Sequence, residues 1–252
     1  MREKFAVQLY TLRDQLEEDF RGVLKQLGQM GWAGVELAGL HGYPAEQIAD
    51  WLQACNLEVA GMHVDIARLE KELEDVLAEA RLFQTRDIIC PYLIESIRHE
   101  AGYKKVRQTL NDIAEKVAPQ GFRISYHNHD FEFKTTVAGT SALEYLLAST
   151  ADNAVLAEID VYWVKKSGRD PLTFIEPYAW RMPLVHLKDM TADARETFAA
   201  VGSGCIDFAP ILNWCEQNGV EWYIVEQDVC PGNPLHSIEA SLRHLQQLAS
   251  YI

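Results

Sequence analysis

Short apolar runs alternate with longer stretches of helical period along the whole chain. The runs that read as strands are Phe5–Leu9, Ala33–Leu37, Glu58–His63, Asp87–Cys90, Phe122–His127, Val155–Asp160, Pro183–Leu187 and Trp222–Glu226. Between them, apolar residues recur on one helix face over Phe20–Met30, Ala45–Cys55, Arg68–Phe83, Tyr103–Val117, Ser141–Ser149, Phe208–Asn218 and Ser237–Leu248. A further short helix is expected around Pro171–Tyr178. Gly31, Gly121 and Gly219 each stand between a helical stretch and the next strand, where a left-handed C-terminal cap is expected. The strands recur about every 31 residues, the size of a βα unit. No Pro/Gly/Ser-rich linker or composition shift interrupts them. The expectation is therefore an α/β fold, a single (β/α)8 TIM barrel spanning residues 1–252 as one domain. An open doubly wound sheet has the same local signals but usually fewer strands, and no G-x-G-x-x-G follows the first run.

Functional groups of a barrel gather at the carboxyl ends of its strands. Here those ends carry Gln8, Glu36, His63 with Asp65, His127-Asn-His129, Glu158-Ile-Asp160, His186-Leu-Lys188-Asp189 and Glu226-Gln-Asp228, whereas the fourth ends blandly in Cys90-Pro91. Residues two apart on a strand share a face. If Asp160, His186 and Glu226 point inward, carboxylates and imidazole converge from three adjacent strands. That mixture suits a divalent ion such as Mn²⁺, Co²⁺, Zn²⁺ or Mg²⁺, which would also relieve the repulsion between acids sharing one cleft. One His or Glu at a strand end is ordinarily a solvated or hydrogen-bonded group; its repetition around the barrel is what favours a metal site.

Composition narrows the classes of function. Lys and Arg number 23 against 37 Asp and Glu, a formal charge of −14, which argues against a nucleic-acid partner. The start, MREKFAVQLY, lacks the apolar run of a secretory signal, and no stretch approaches the ~20 apolar residues of a membrane span. Five widely spaced cysteines with no C-x-x-C pair predict reduced, mostly buried thiols and a cytoplasmic protein. His41, His99, His236 and His244 read as surface residues. Glu70, Glu72, Glu74, Asp75 and Glu79 read as one helix's solvated face, and Trp32, Trp51 and Trp214 as helix–strand packing. Tyr162 and Trp163, just past the sixth strand, are placed to wall a sugar pocket. Glycines in Gly202-Ser-Gly204 could bring backbone N–H groups to a phosphate, but a tight turn with Asp207 capping the next helix is the plainer reading. Lys188 and Arg13 are available for an anionic group, with surface roles as the alternative.

Taken together, Val7–Asp14, Gly34–Leu37, Tyr126-His-Asn-His-Asp-Phe-Glu-Phe133, Glu158-Ile-Asp-Val-Tyr-Trp163, His186-Leu-Lys-Asp189, Gly202-Ser-Gly204 with Asp207, and Ile224-Val-Glu-Gln-Asp228 make the chain resemble the xylose isomerase-like barrels, in the branch of sugar phosphate isomerases/epimerases. The resemblance covers nearly the full length. It implies metal ligands at Asp160, His186 and Glu226. The fourth ligand of that family is a Glu after the fifth strand, where this chain has His127; Glu158 and Glu132 are the other candidates. It further implies a divalent-metal-dependent isomerase or epimerase of a sugar or sugar derivative, with Glu226 or Glu158 as base and His129, His63 or Lys188 as proton donor or oxygen-polarising group. Glu36, His63, Lys188 and Trp163 are expected to contact the substrate. Because the family's paired glutamates are not both present, a keto-sugar or keto-inositol dehydratase or lyase is the alternative, needing one base and one acid. An endonuclease on the same fold is disfavoured by the charge, and a non-catalytic sugar-binding barrel would lack the metal. A homo-oligomer is compatible with the sequence; nucleic-acid and membrane partners are not expected.

Overall fold

Eight parallel strands close into a barrel in the computed structural model, which describes residues 1–252. They are β1 (Phe5–Gln8), β2 (Gly34–Leu37), β3 (Glu58–His63), β4 (Asp87–Cys90), β5 (Arg123–His127), β6 (Leu156–Asp160), β7 (Leu184–Leu187) and β8 (Trp222–Val225), with β8 pairing to β1 to close the ring. The outer helices are α1 (Arg13–Met30), α2 (Ala45–Ala54), α3 (Ile66–Lys71), α4 (Leu73–Leu82), α5 (Glu100–Val117), α6 (Ala142–Leu147), α7 (Val161–Lys166), α8 (Pro171–Ile175), α9 (Phe208–Gln217) and α10 (Pro234–Leu248). This is the (β/α)8 TIM barrel expected from the repeat. No helix is long and apolar enough to cross a membrane.

Period two along each strand sorts the barrel into two environments. Val7, Val35, Ile124, Tyr126, Ala157, Ile159, Val185, Leu187, Tyr223 and Val225 face outward and pack with the helices in one continuous core. The other parity faces inward. At the amino-terminal end it supplies a small plug of Ala6, Ala60, Leu184 and Ile224. Below the plug, Arg123 bonds Asp87 at 2.6 and 2.8 Å and Glu221 at 2.7 Å. A cavity of about 850 Å³ opens at this end, lined by Gln53, Asn56, Arg86, Glu221 and neighbours, away from the inward-facing His and acid residues. One step up each strand, the same parity brings in Gln8, Glu36, His63, His127, Glu158, Asp160 and His186.

The structure departs from the expected helices in instructive places. Arg68–Phe83 is two helices broken at Glu72 (φ −129°, ψ 32°), and Arg68 bonds Glu79 across the break at 2.5 and 3.0 Å. Glu79 is thus half-buried in an ion pair, while Glu70, Glu72, Glu74 and Asp75 are exposed as expected. Helix α1 starts seven residues earlier than the periodicity suggests, kinked at Asp19. Gly31, Gly121 and Gly219 do adopt positive φ (93°, 87° and 83°) at the ends of their helical stretches. Cys90 and Cys215 are buried, but Cys205 is exposed and Cys55 and Cys230 lie between, so the thiols are not mostly buried. His99 and His236 are exposed; His41 is half-buried against Phe20, and His244 is half-buried beside Gly202.

Candidate metal centre and active site

Asp160 shows how local structure aims a functional group. Its Oδ1 accepts from the backbone N–H groups of Tyr162 (2.9 Å) and Trp163 (3.3 Å), capping α7. Asn128 Oδ1 accepts from the Asp160 N–H at 2.9 Å, fixing the backbone. Oδ2 is left pointing inward, buried and without an aligned hydrogen bond, although Lys188 Nζ lies 2.9 Å away. Helix α7, absent from the sequence-based expectation, is thus what splits the carboxylate between structure and site.

Two layers of groups fill the barrel mouth. In the upper layer, ligand atoms of His127, Asp160, His186 and Glu226 all lie within 4.8 Å of one another. His186 Nδ1 is 3.0 Å from Glu226 Oε2, and Lys188 Nζ meets Asp160, Glu226 and Asp228 at 2.9, 2.8 and 2.9 Å. In the lower layer, His63 Nε2 bridges Glu158 at 2.8 Å and Glu36 at 3.1 Å, while His186 Nε2 reaches Glu36 at 2.8 Å. A second donor group, His63, His127, Glu158 and His186, shares both imidazoles with the upper one. The donor chemistry fits a divalent ion in the upper layer: two imidazoles and two carboxylates, one of them Asp160 with a buried oxygen that has no aligned hydrogen bond.

The electrostatics follow from these contacts. Against the effect of burial, Glu36 and Glu158 push His63 up to about 10. Burial and the neighbouring Glu36 push Glu158 up to about 8. Burial opposes the charge on Glu226, yet Lys188 and His186 hold its carboxyl well below the usual range. Burial, with Lys188 nearby, brings His129 down to about 3, so its ring is neutral. Asp228 is pushed up to about 6 by burial and Glu226, against the pull of Lys188.

A cavity of about 630 Å³ stands over the upper layer, lined among others by Tyr10, His63, Tyr92, His127, His129, Glu226 and Asp228. Glu36, Glu158 and Lys188 are not on its wall: the first two have no exposed surface and Lys188 has 1 %. The expectation that Glu36 and Lys188 touch substrate directly therefore does not match their burial, nor does Glu158 as a base. Trp163 packs behind His129 (ring centroids 5.3 Å) with Lys188 Nζ 5.4 Å from its ring. It backs the site rather than walling the cavity. Asp228, recognised in the sequence only by its spacing from Glu226, lines the cavity. Arg13 bonds the Tyr10 carbonyl and lies over its ring.

Two other candidates are committed elsewhere. Glu132, a possible fourth ligand by sequence, accepts from the Tyr126 hydroxyl (2.7 Å) and the His129 N–H (2.9 Å), and so fixes the loop that carries His129. Removing those acceptors in Glu132→Ala is expected to cost about 2–5 kcal/mol in urea unfolding. Burial raises the Glu132 carboxyl from 4.5 to about 7, so the stability it contributes is present below pH 4.5 and is lost as pH rises through 7. Glu132→Gln, an isostere of the neutral form, should therefore gain on the parent protein between pH 4.5 and 7, by up to ~3 kcal/mol in a pH series of unfolding curves. The turn around Gly202 and Gly204 likewise has its N–H groups spent: both donate to Asp189 Oδ2, at 3.0 and 2.8 Å, which leaves none for a phosphate. Asp207 caps α9 as expected.

A family model for the xylose isomerase-like TIM barrel matches residues 24–248. The chain belongs to that family. Among curated relatives, an inosose dehydratase from Clostridium beijerinckii is 28% identical over 61% of this chain, and the match spans only 57% of that enzyme. An inosose dehydratase from Clostridium botulinum is 22% identical over 93% of this chain and 91% of its own length. A solved sugar phosphate isomerase/epimerase from Parabacteroides distasonis superposes with a TM-score of 0.81 at 22% identity, covering 96% of this chain and 93% of the other. A probable 3-DHS dehydratase from Bacillus anthracis gives a TM-score of 0.73 at 15% identity, covering 96% of this chain and 98% of the other. At these identities the structures speak for the fold.

Proposed function

We propose that the protein is a divalent-metal-dependent lyase of the dehydratase type, acting on a keto-sugar or keto-cyclitol. The observation that carries this reading is the division of the cavity wall. Carboxylates Glu226 and Asp228 come from the β8 end; imidazoles His63, His127 and His129 come from the β3 and β5 ends. An epimerase of this family would use two like carboxylates to take and return the proton; on the imidazole side the wall carries Asp65, but its Oδ1 accepts from the Arg68 N–H at 3.0 Å as the cap of α3. One base facing one acid suits elimination. The names of the curated relatives support the same reading.

His127, Asp160, His186 and Glu226 would hold the ion, Mn²⁺, Co²⁺, Zn²⁺ or Mg²⁺. A bound cation supplies Lewis acidity, drawing electron density from a carbonyl and its neighbouring hydroxyl and so acidifying the adjacent C–H. Glu226 or Asp228 takes that proton. As the C–H electron pair becomes the new C=C bond, the β C–O bond breaks, and its oxygen leaves with a proton from His63, which the Glu36 carboxylate beneath it at 3.1 Å favours in its charged form. His129, neutral and at the mouth, hydrogen-bonds substrate hydroxyls. Lys188 acts from behind, holding Asp160, Glu226 and Asp228 in register.

A sugar isomerase or epimerase is the second reading and shares the first step, the proton being returned to carbon from the imidazole side. NMR in D₂O with a keto-inositol or keto-sugar separates them. Elimination yields an unsaturated product lacking one hydroxyl or glycosidic substituent; epimerisation keeps the formula and gains deuterium. Neither reaction at any divalent ion would overturn both readings. Prolonged chelation with EDTA is expected to lower turnover at least 100-fold, with Mn²⁺ or Co²⁺ restoring it; full activity in the stripped protein would overturn the metal assignment.

A further inference from the structure

A chain of hydrogen bonds runs from the backbone at the end of β1 to the metal-facing imidazole of His186, and its direction is fixed at one end. The Tyr10 N–H can only donate, and it donates to Gln8 Oε1 at 3.1 Å. The other end of that amide is therefore Nε2, which donates to Glu36 Oε2 at 2.7 Å. Glu36 Oε2 also meets His186 Nε2 at 2.8 Å. With Gln8 already donating, this carboxylate oxygen accepts from both sides, so His186 carries its proton on Nε2. Nδ1 faces Glu226 Oε2, 3.0 Å away, and Asp160, so it is the nitrogen whose lone pair a cation on that side would take.

The local fold is built for this relay. The pairing of β2 with β3 shifts register between Val35 and Glu36, setting Glu36 beside Gly61. A Cβ on Gly61 would come within 2.9 Å of Glu36 Oε1 and 2.6 Å of Ile89 Cδ1. The bulge and the missing side chain together make room for a carboxylate with no exposed surface. Gln8 is equally buried, so neither group is available to a substrate.

We propose that Gln8 and Glu36 are positioning residues that set the tautomer and orientation of His186 for cation binding, an inference that rests on the metal site proposed above. A carboxylate on the far nitrogen of a ligating His fixes its ring and raises its basicity, and loss of such a partner typically costs 10–100-fold in metal affinity. Gln8 extends that support one residue further, to a backbone donor.

The test uses the full chain with Glu36→Gln, Glu36→Leu and Gln8→Leu. Cation affinity is read by Mn²⁺ EPR titration, and the His186 tautomer by long-range ¹H–¹⁵N spectra of the Zn²⁺-loaded protein. Wild type should bind one equivalent with His186 protonated on Nε2. Glu36→Leu should weaken Mn²⁺ binding about 100-fold and lose the single tautomer. Glu36→Gln keeps an acceptor without the charge, so it should weaken binding about tenfold and retain the tautomer; Gln8→Leu should fall in the same range and serves if Glu36→Leu fails to fold. Wild-type affinity in all three variants, or an Nδ1-protonated His186, would overturn the inference while leaving the metal site standing. Two equivalents bound with Nε2 itself as a ligand would overturn it too, making the lower layer a second cation site. A wild-type protein that binds no cation would overturn both this inference and the metal site.

Discussion

Glu226→Gln is expected to abolish measurable turnover, at least a 10³-fold fall in kcat/KM, while the protein stays folded. The carboxylate lies at the end of β8 with Oε2 2.8 Å from Lys188 Nζ and 3.0 Å from His186 Nδ1, and it also lines the substrate cavity. Neutralising it removes a proposed ligand and a proposed base in one step. General-base loss alone typically costs 10²–10⁴-fold. The amide keeps the shape, so overpacking is not the cause of any loss. It also leaves Lys188 with Asp160 and Asp228 as partners, enough to avoid an unpaired buried ammonium. Circular dichroism should match wild type, and kcat/KM should stay low at saturating Mn²⁺. Activity within tenfold of wild type would remove Glu226 from the chemistry.

The barrel was legible in the sequence because period-two strands and the βα repeat are local signals. The cluster was partly so. Strand parity brings Asp160, His186 and His127 inward, and parity is visible in spacing. Depth along the barrel axis is not. Glu158 and Asp160 share a parity, yet register sets Glu158 beside His127 and Leu184 while Asp160 pairs with His186, one layer higher. Glu158 therefore falls beneath the cavity with Glu36, and its expected role as base falls with it. Register belongs to the closed ring and has no local signature. Likewise, the oxygen that Asp160 offers inward depends on α7, whose six residues are too few for periodicity to reveal. Glu132 and Asp228 show the same limit in loops, where a carboxylate's partner is decided by chain direction after the strand ends.

Asp189→Ala is expected to destabilise the fold by on the order of 4 kcal/mol, a large share of the roughly 5–15 kcal/mol available to a domain. The carboxylate has no exposed surface and accepts from four backbone N–H groups: Met190 at 2.7 Å, Gly204 at 2.8 Å, Gly202 at 3.0 Å and Ile206 at 3.1 Å. It is the hub around which the chain after β7 turns. A Cβ on Gly204 would approach the Met190 carbonyl oxygen and the Asp189 carboxylate too closely, which is why that position is glycine. Alanine at 189 leaves the four donors without their acceptor. Each buried one costs about 1–3 kcal/mol, and those nearer solvent recover part of the loss through water. Asp189→Asn retains one acceptor oxygen and should fall between the two. Urea unfolding at pH 7 measures the difference, and a loss below 1 kcal/mol in Asp189→Ala would show that the turn is held by something else. Because Lys188 precedes this hub and clamps Asp160, Glu226 and Asp228, the same variant should also weaken Mn²⁺ binding before it unfolds.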